Sequence, residues 1–232
     1  MERSVVVAVL AGGDAVPQFV PEYVRRADLV VAADSGLDLG ERIGLEVGLV
    51  VGDLDSVSAE ALARARASRV RVEQHRSDKD ETDLELAFDA VWREVDAGAG
   101  AGAVAIVVLG GAGGRLDHLL ANVAVLTSAR HAAASVVGYL GTDRVDVVRS
   151  TRVIAGAPGL SVSVLAWHGD ALGVTTSGLR WPLHDAVLES GSALGTSNEF
   201  VGREATVSVA SGVVTATVAG MTGSIEDGEV VR

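Results

Sequence analysis

The segment Gly-Asp-Leu-Asp-Ser at 52–56 places Asp53 and Asp55 on either side of a leucine, directly after the apolar run 48–51. Taken alone, such acids are turn and cap residues, since Asp and Ser satisfy the free N–H groups of a bend or a helix start. The pattern recurs along the chain. Asp14 follows the first apolar run, Asp34 the second, Asp53 and Asp55 the third, Asp78, Asp80 and Asp83 the fourth, and Asp117 the fifth. If those runs are strands of one parallel sheet, the acids share its carboxyl edge, where open α/β sheets bind ligands. Carboxylates crowded in this way repel one another unless cations hold them. Hard oxygen ligands of this kind suit Mg²⁺, which keeps part of its water shell and shares the rest with substrate phosphates.

Two cationic residues stand among the acids: Lys79 in SDKDETD and Arg115 in GGAGGRLDHLLAN. The second stretch sets Gly113 and Gly114 between a strand and a helix N-terminus, where backbone N–H groups and the helix dipole attract phosphate. It is neither a Walker loop nor a dinucleotide fingerprint. Acids, a divalent metal and phosphate together point to phosphoryl transfer. Other chemistries lack their residues. There is no G-x-S-x-G elbow, and the histidines (75, 118, 131, 168 and 184) have no metal-ligand spacing. His118, beside Asp117, is either catalytic or a brace for the loop. Trp92 reads as core, whereas Trp181 in SGLRWPL is either a strand core residue or a stacking wall for a ligand.

The elements that must carry these residues fall into two grammars. Strands are expected at 4–11, 28–33, 48–51, 69–73, 103–109 and 134–140. Between them run helix-period segments. The clearest carries Leu84, Ala87, Phe88, Val91, Trp92 and Val95, with Thr82 and Glu85 as its capping box. Another carries Leu116, Leu119, Leu120, Val123 and Leu126, and Ser56 or Ser58 opens a helix after the paired acids. Such alternation implies a parallel sheet covered on both faces. After about residue 143 the helical pattern stops. Short runs such as LSVSVLA, GVTTSGL, ATVSVA and VVTATVA, with glycine turns between them, predict an antiparallel sandwich or barrel. The expected domains are therefore 1–143 and 144–232, and the Ala/Gly segment 97–103 reads as a loop.

Bulk properties narrow the partners. The chain has 232 residues, 31 acidic against 19 basic, for a net charge of −12. That balance argues against a general nucleic-acid binder. There are no cysteines, which excludes thiolate chemistry and fits a cytoplasmic protein. The first apolar run ends in Gly-Gly-Asp and suits a strand better than a signal peptide, and no segment reads as a membrane span.

Together these residues resemble the thiamine pyrophosphokinase family. AADSG is similar to its A-D-G-G segment, GDLDS to G-D-F-D-S, DKDETDLELA to its D-x-T-D block, and GGAGGRLDHLLAN to G-x-x-G-R-x-D-H. TTSGLRWPL and GTSNEF resemble the motifs on the thiamine side. Leu54 stands where the family has Phe, and Ser35 replaces the first glycine after the acid; neither change removes a charge.

The resemblance implies an N-terminal Rossmann-like α/β domain for ATP and Mg²⁺, followed by an all-β sandwich domain for thiamine. It implies transfer of diphosphate from ATP, as co-substrate, to the thiamine hydroxyl with release of AMP, in a homodimer with thiamine near the subunit interface. Carried over, Asp53, Asp55, Asp80 and Asp83 would hold Mg²⁺ and phosphates. Gly12, Gly13, Asp34, Lys79, Gly113 and Gly114 would lie along the nucleotide. Arg115 would neutralise phosphate charge and Asp117 would complete the catalytic cluster, with Asp55 or Asp83 as base. Trp181, Ser197 and Asn198 would face thiamine. The rivals are a pyrophosphokinase acting on another alcohol such as a hydroxymethyl-pterin, a non-catalytic thiamine or nucleotide sensor, and a metal-dependent phosphoesterase.

Overall fold

The computed structural model describes residues 4–13, 20–98 and 103–220; Asp14 and residues 99–102 of the Ala/Gly segment lie outside them. Contacts divide the chain into two compact units. One comprises Met1–Val125, Ala133–Ser135 and Tyr139–Gly141; the other comprises Leu126–Ala132, Val136–Gly138 and Thr142–Arg232.

In the first unit the β-branched runs form β1 (Val5–Ala11), β2 (Leu29–Ala33), β3 (Leu49–Gly52), β4 (Arg71–Gln74) and β5 (Val104–Gly110). The intervening segments form α1 (Glu22–Arg25), α2 (Gly36–Ile43), α3 (Ala59–Ala67) and α4 (Asp83–Gly98), and α5 (Leu116–Leu126) follows β5. The strands pair in parallel in the order β4-β3-β2-β1-β5. Their carboxyl ends are level: Ala11 pairs with both Ala33 and Gly110, Ala33 with Val51, and Gly52 with Gln74. The strand order reverses between β1 and β5, which makes that edge a topological switch point. β5 is buried from end to end, as expected of a strand with both faces covered.

Local chemistry sets the helix starts. Ser58 caps α3, its Oγ accepting the Ala61 N–H at 3.2 Å. Asp38 on α2 accepts both the N–H (3.0 Å) and the hydroxyl of Ser58. The capping box of α4 forms as expected: Thr82 Oγ1 accepts the Glu85 N–H at 3.2 Å, and Glu85 Oε2 accepts the Thr82 N–H at 2.9 Å. Leu84, Ala87, Phe88 and Val91 are buried as α4 packs on β2 and β3, and Trp92 is half-buried at the margin. Burying Phe88 completely contributes roughly 1.5–3 kcal/mol. α5 departs from its pattern. Leu126 is fully buried, yet Leu116 is 68% and Leu120 is 53% exposed. Arg115, His118, Ala121 and Asn122 of this stretch line a cavity, so the first turns of α5 stand at a cavity rim rather than flat on the sheet.

β6 (Ala134–Leu140) has residues in both units. The second unit contains β7 (Asp143–Val148), β8 (Thr151–Ala155), β9 (Ser161–Ser177), β10 (Ala186–Leu188), β11 (Asn198–Glu199), β12 (Glu204–Ser208) and β13 (Ser211–Val218). Its pairings are antiparallel. LSVSVLA and GVTTSGL, which read as separate runs, belong to the single 17-residue strand β9. Its first half pairs with β13 and its last residues with β12. Between these halves His168, Gly169 and Gly173 have φ of 59°, 140° and 65°, and the β9–β13 register shifts there. The resulting bend lets one strand serve two sheets. The sheets share a core that includes Ile154, Val162, Val174, Phe200, Val207 and Val214, the arrangement of a β sandwich. A fully buried Asp146 is held by Arg144 Nε at 2.7 Å and Arg152 Nε at 3.0 Å, so the charge inside this unit is paired.

Candidate active site

The carboxyl edge of the parallel sheet opens into a cavity of about 540 Å³ within the first unit. Gly12 and Gly13 enter it from β1, Asp34 and Ser35 from β2, and Asp53, Asp55 and Ser56 from β3. Lys79, Thr82 and Asp83 come from the turn into α4; Gly111, Gly113, Arg115, His118 and Asn122 come from the β5–α5 side.

Three carboxylates converge. Oxygen atoms of Asp34, Asp53 and Asp83 lie within 4.8 Å of one another. Backbone conformation brings them together. Asp34 has φ 46° in the left-handed region, which Asp tolerates better than most residues. Leu54, buried between the paired acids, has φ 65° and so turns the chain sharply between them. Gly52, at φ 148°, leaves open the space the acids face: a Cβ there would stand 3.0 Å from Asp83 Oδ1 and 3.2 Å from Asp34 Cβ. Lys79 is the local counter-charge, with Nζ 3.0 Å from Asp83 Oδ1 and 3.7 Å from Asp53 Oδ2.

Electrostatics separates the three acids. Burial, reinforced by the carboxylates of Asp83, Asp53 and Asp55, pushes Asp34 above the usual carboxylate range despite the N–H of Ser35. Burial also opposes ionisation of Asp53, but the Asp55 N–H, the Ser77 hydroxyl and Lys79 outweigh it and hold Asp53 low. Burial works against the charge on Lys79, yet Asp83 and Asp53 raise its pKa overall.

Asp34 is 7% exposed, and its Oδ1 has no hydrogen-bond partner among the described residues. A buried carboxylate oxygen without a partner, facing two more carboxylates across a space kept open by a glycine, fits a hard divalent cation.

The remaining expected site residues divide. Asp55 lines the cavity but is exposed, outside the trio, and its Oδ1 accepts the Ser56 hydroxyl at 2.9 Å. Asp80 is exposed, two residues before the Thr82 cap, and belongs neither to the trio nor to the lining. Gly113 and Gly114 both have φ 86°, though only Gly113 lines the cavity. Arg115 lines it while paired with Asp117, which is not itself a lining residue (Nη2 to Oδ2, 2.5 Å). His118 is at the wall. Asn122, which the motif reading did not single out, donates Nδ2 to the Gly111 carbonyl at 2.9 Å and so braces the glycine turn.

The second unit holds its own cavity of about 210 Å³, lined by Val164, Thr176, Trp181, Pro182, Leu183, Leu194, Gly195, Thr196 and Asn198. Trp181 is 53% exposed, which rules out the core reading and leaves it as a wall. The Arg180 guanidinium lies 4.9 Å from the centre of its ring, and Arg180 is itself tied to Glu199 at 2.9 Å. Asn198 is buried and bonded to the Trp181 backbone through both ends of its amide. Ser197, at φ 56°, is exposed, donates its N–H to Ser163 Oγ at 3.1 Å, and does not line the cavity.

These features define an α/β unit with an acid- and glycine-lined ligand cavity at its switch point, accompanied by an antiparallel β unit with an aromatic-walled cavity. Residues 20–137 match the family description "Thiamin pyrophosphokinase, catalytic domain", and residues 154–214 match "Thiamin pyrophosphokinase, vitamin B1 binding domain". The chain belongs to the thiamin pyrophosphokinase family, and its activity is thiamine diphosphorylation. Its fold is similar to that of solved structures. A thiamine pyrophosphokinase from Bacillus subtilis is 23% identical, with a TM-score of 0.76 over 92% of this chain and 98% of the other. A thiamin pyrophosphokinase family protein from Enterococcus faecalis is 22% identical, with a TM-score of 0.75 over 93% and 99%. The yeast thiamin pyrophosphokinase is 16% identical, with a TM-score of 0.70 over 94% and 87%.

Proposed function

We propose that the first cavity takes ATP with Mg²⁺ and that thiamine is held by the wall around Trp181, with residues 1–143 and 144–232 dividing these tasks. The observation that carries the metal reading is the unpartnered Oδ1 of Asp34 among the oxygens of Asp53 and Asp83. When bound there, Mg²⁺ neutralises phosphate charge and stabilises the departing AMP.

The chain's own residues supply the rest. Asp34, Asp53 and Asp83 hold the ion. Arg115 exchanges its exposed partner Asp117 for a phosphate, and the glycine turns offer N–H groups to the same anion. The thiamine hydroxyl oxygen attacks the β-phosphorus, the bond to the α–β bridging oxygen breaks, and AMP leaves with that oxygen. This displacement depends on positioning and charge neutralisation more than on covalent help. Asp55 takes the hydroxyl proton, since it faces the cavity outside the trio that holds the ion, to which Asp83 belongs. The molecule acts as a homodimer in the cytoplasm. The exposed leucines 116 and 120 and the half-exposed Trp181 supply apolar surface that a second subunit can cover, and the cysteine-free composition suits a reducing compartment.

The deciding experiment supplies ATP, Mg²⁺ and thiamine to the purified protein and quantifies products. AMP and thiamine diphosphate are expected in equal amounts; ADP with thiamine monophosphate would overturn diphosphate transfer.

A further inference from the structure

Lys79 is a cation placed inside the acid cluster rather than at its margin. Its side chain is 13% exposed and that of Asp53 is 12% exposed. The ammonium reaches Asp83 Oδ1 at 3.0 Å and Asp53 Oδ2 at 3.7 Å. It therefore stands as the ion-pair partner of two of the three carboxylates that converge within 4.8 Å. Asp83 Oδ1 has this ion pair but no hydrogen bond, while the third, Asp34, keeps an oxygen with neither among the described residues. Lys79 belongs to the segment between β4 and α4, outside regular structure, so its ammonium can shift without unravelling a helix or strand.

We propose that Lys79 is a tethered counter-ion for this trio, holding Asp53 and Asp83 together in the metal-free protein and yielding their oxygens when a divalent cation enters. The proposal rests on the reading that Asp34, Asp53 and Asp83 hold that cation. An ammonium and a divalent ion sharing the same oxygens would stand a few ångströms apart in a poorly solvated space, where like charges repel strongly. The lysine must therefore move as the metal binds, and it needs a new anionic partner. The phosphates of an arriving nucleotide supply one within the same cavity.

Lys79 thus couples the two ligands. Metal alone binds weakly because it must evict the lysine, and nucleotide strengthens metal binding because it receives the displaced ammonium. By linkage, metal strengthens nucleotide binding by the same factor. A lysine that served only as a phosphate ligand would leave the affinity for metal alone untouched. Charge at a distance would act differently again, because exposed charges are screened.

The test is Mn²⁺ binding to the purified full-length protein, followed by the electron paramagnetic resonance of the free ion, with and without a non-hydrolysable ATP analogue. Lys79→Met keeps the length of the side chain and removes its charge. It should bind Mn²⁺ alone at least about tenfold more tightly than the parent, and should lose most of the nucleotide-induced gain. Lys79→Gln should move the same way, which guards against a folding defect in one variant. Arg76→Gln removes an equal charge from an exposed pair with Asp78 and should stay within about twofold of the parent. Affinity for Mn²⁺ alone that is unchanged or weaker in both Lys79 variants would overturn the proposal. Retention of parental Mn²⁺ affinity by Asp53→Asn would remove the metal reading itself, and the tethered counter-ion with it.

Discussion

The side-chain amide of Asn198 is bonded at both ends to the backbone of Trp181: Oδ1 accepts the Trp181 N–H at 3.1 Å, and Nδ2 donates to the Trp181 carbonyl at 2.6 Å. The same Oδ1 accepts the Glu199 N–H at 2.9 Å. With both ends engaged, Asn198, which also lines the cavity, fixes the backbone of the tryptophan wall. Nearby, Thr176 Oγ1 accepts the Leu183 N–H at 2.8 Å, and Thr175 Oγ1 accepts the Asp185 N–H at 3.1 Å. The segment carrying the tryptophan is thus pinned at several points.

Replacing Asn198 by Ala should release Trp181 without altering the acid cluster. The expected result is a rise of about tenfold in the KM for thiamine, with the KM for ATP nearly unchanged, since lost hydrogen bonds of this kind cost about 1–3 kcal/mol. Asn198→Asp keeps the acceptor and loses the donor, and should fall between. Steady-state kinetics with tryptophan fluorescence would check this. An unchanged thiamine KM, together with altered emission, would leave Asn198 a purely structural clamp.

Trp181→Ala removes the wall itself. Thiamine binding should weaken by roughly 1–3 kcal/mol, as expected for an aromatic face that stacks on a ring or a cation, with little effect on ATP. Arg180 already stands over this indole, so the ligand is expected on its other side. Isothermal titration with each ligand separately is the measurement.

Much of this was legible in the residues because hydrophobic period reports burial. Every strand of the parallel sheet lies within two residues of its apolar run, and the Thr82–Glu85 box announces α4. The acids at successive strand ends were legible as an edge for the same reason. Their grouping was not. Which acids converge depends on the φ of Asp34 and Leu54 and on the space at Gly52, none of which hydropathy records. β9 misled because its two apolar runs meet at a bend that resembles a turn. The clamp of Asn198 on Trp181 and the tie of Asp38 to Ser58 were not legible, because their partners are backbone atoms and a distant serine. Motif spacing is silent on such bonds.

Asp38 gives a prediction about stability rather than chemistry. It holds the Ser58 N–H at 3.0 Å and the Ser58 hydroxyl, and Ser58 in turn caps α3. Asp38→Ala should lower unfolding stability by about 1–2 kcal/mol through loss of this supported cap. Chemical denaturation would measure it. The variant should keep its product identity, since the residue is not in the cavity wall.

The acid trio predicts a division among aspartates. Asp34→Asn and Asp53→Asn should each slow turnover by about 10²-fold or more and weaken Mn²⁺ binding, because charge stabilisation of the transition state is lost with the ion. Asp55→Asn should slow turnover by a similar factor, about 10²-fold, yet keep Mn²⁺ affinity if its task is the thiamine proton. Chelation should abolish activity, and Mg²⁺ should restore it. Near-normal turnover in both Asp53→Asn and Asp55→Asn would return these residues to turn chemistry.

The final prediction concerns assembly. If the protein is a homodimer whose thiamine wall is offered to the acid cluster of the opposite subunit, two different defects can complement each other. An Asp53→Asn subunit has a sound tryptophan wall, and a Trp181→Ala subunit has a sound acid trio. In a mixed dimer of the two, one composite site regains both elements and the other carries both defects. Random exchange between equal amounts makes half the dimers mixed, so about a quarter of the parental sites should recover at low thiamine. Sedimentation of the parent would establish the dimer, and activity after subunit exchange would test where the site is built. Complementation at that level requires a site shared between subunits. A dimer that shows none builds each site within one chain, and an active monomer removes the assembly reading altogether.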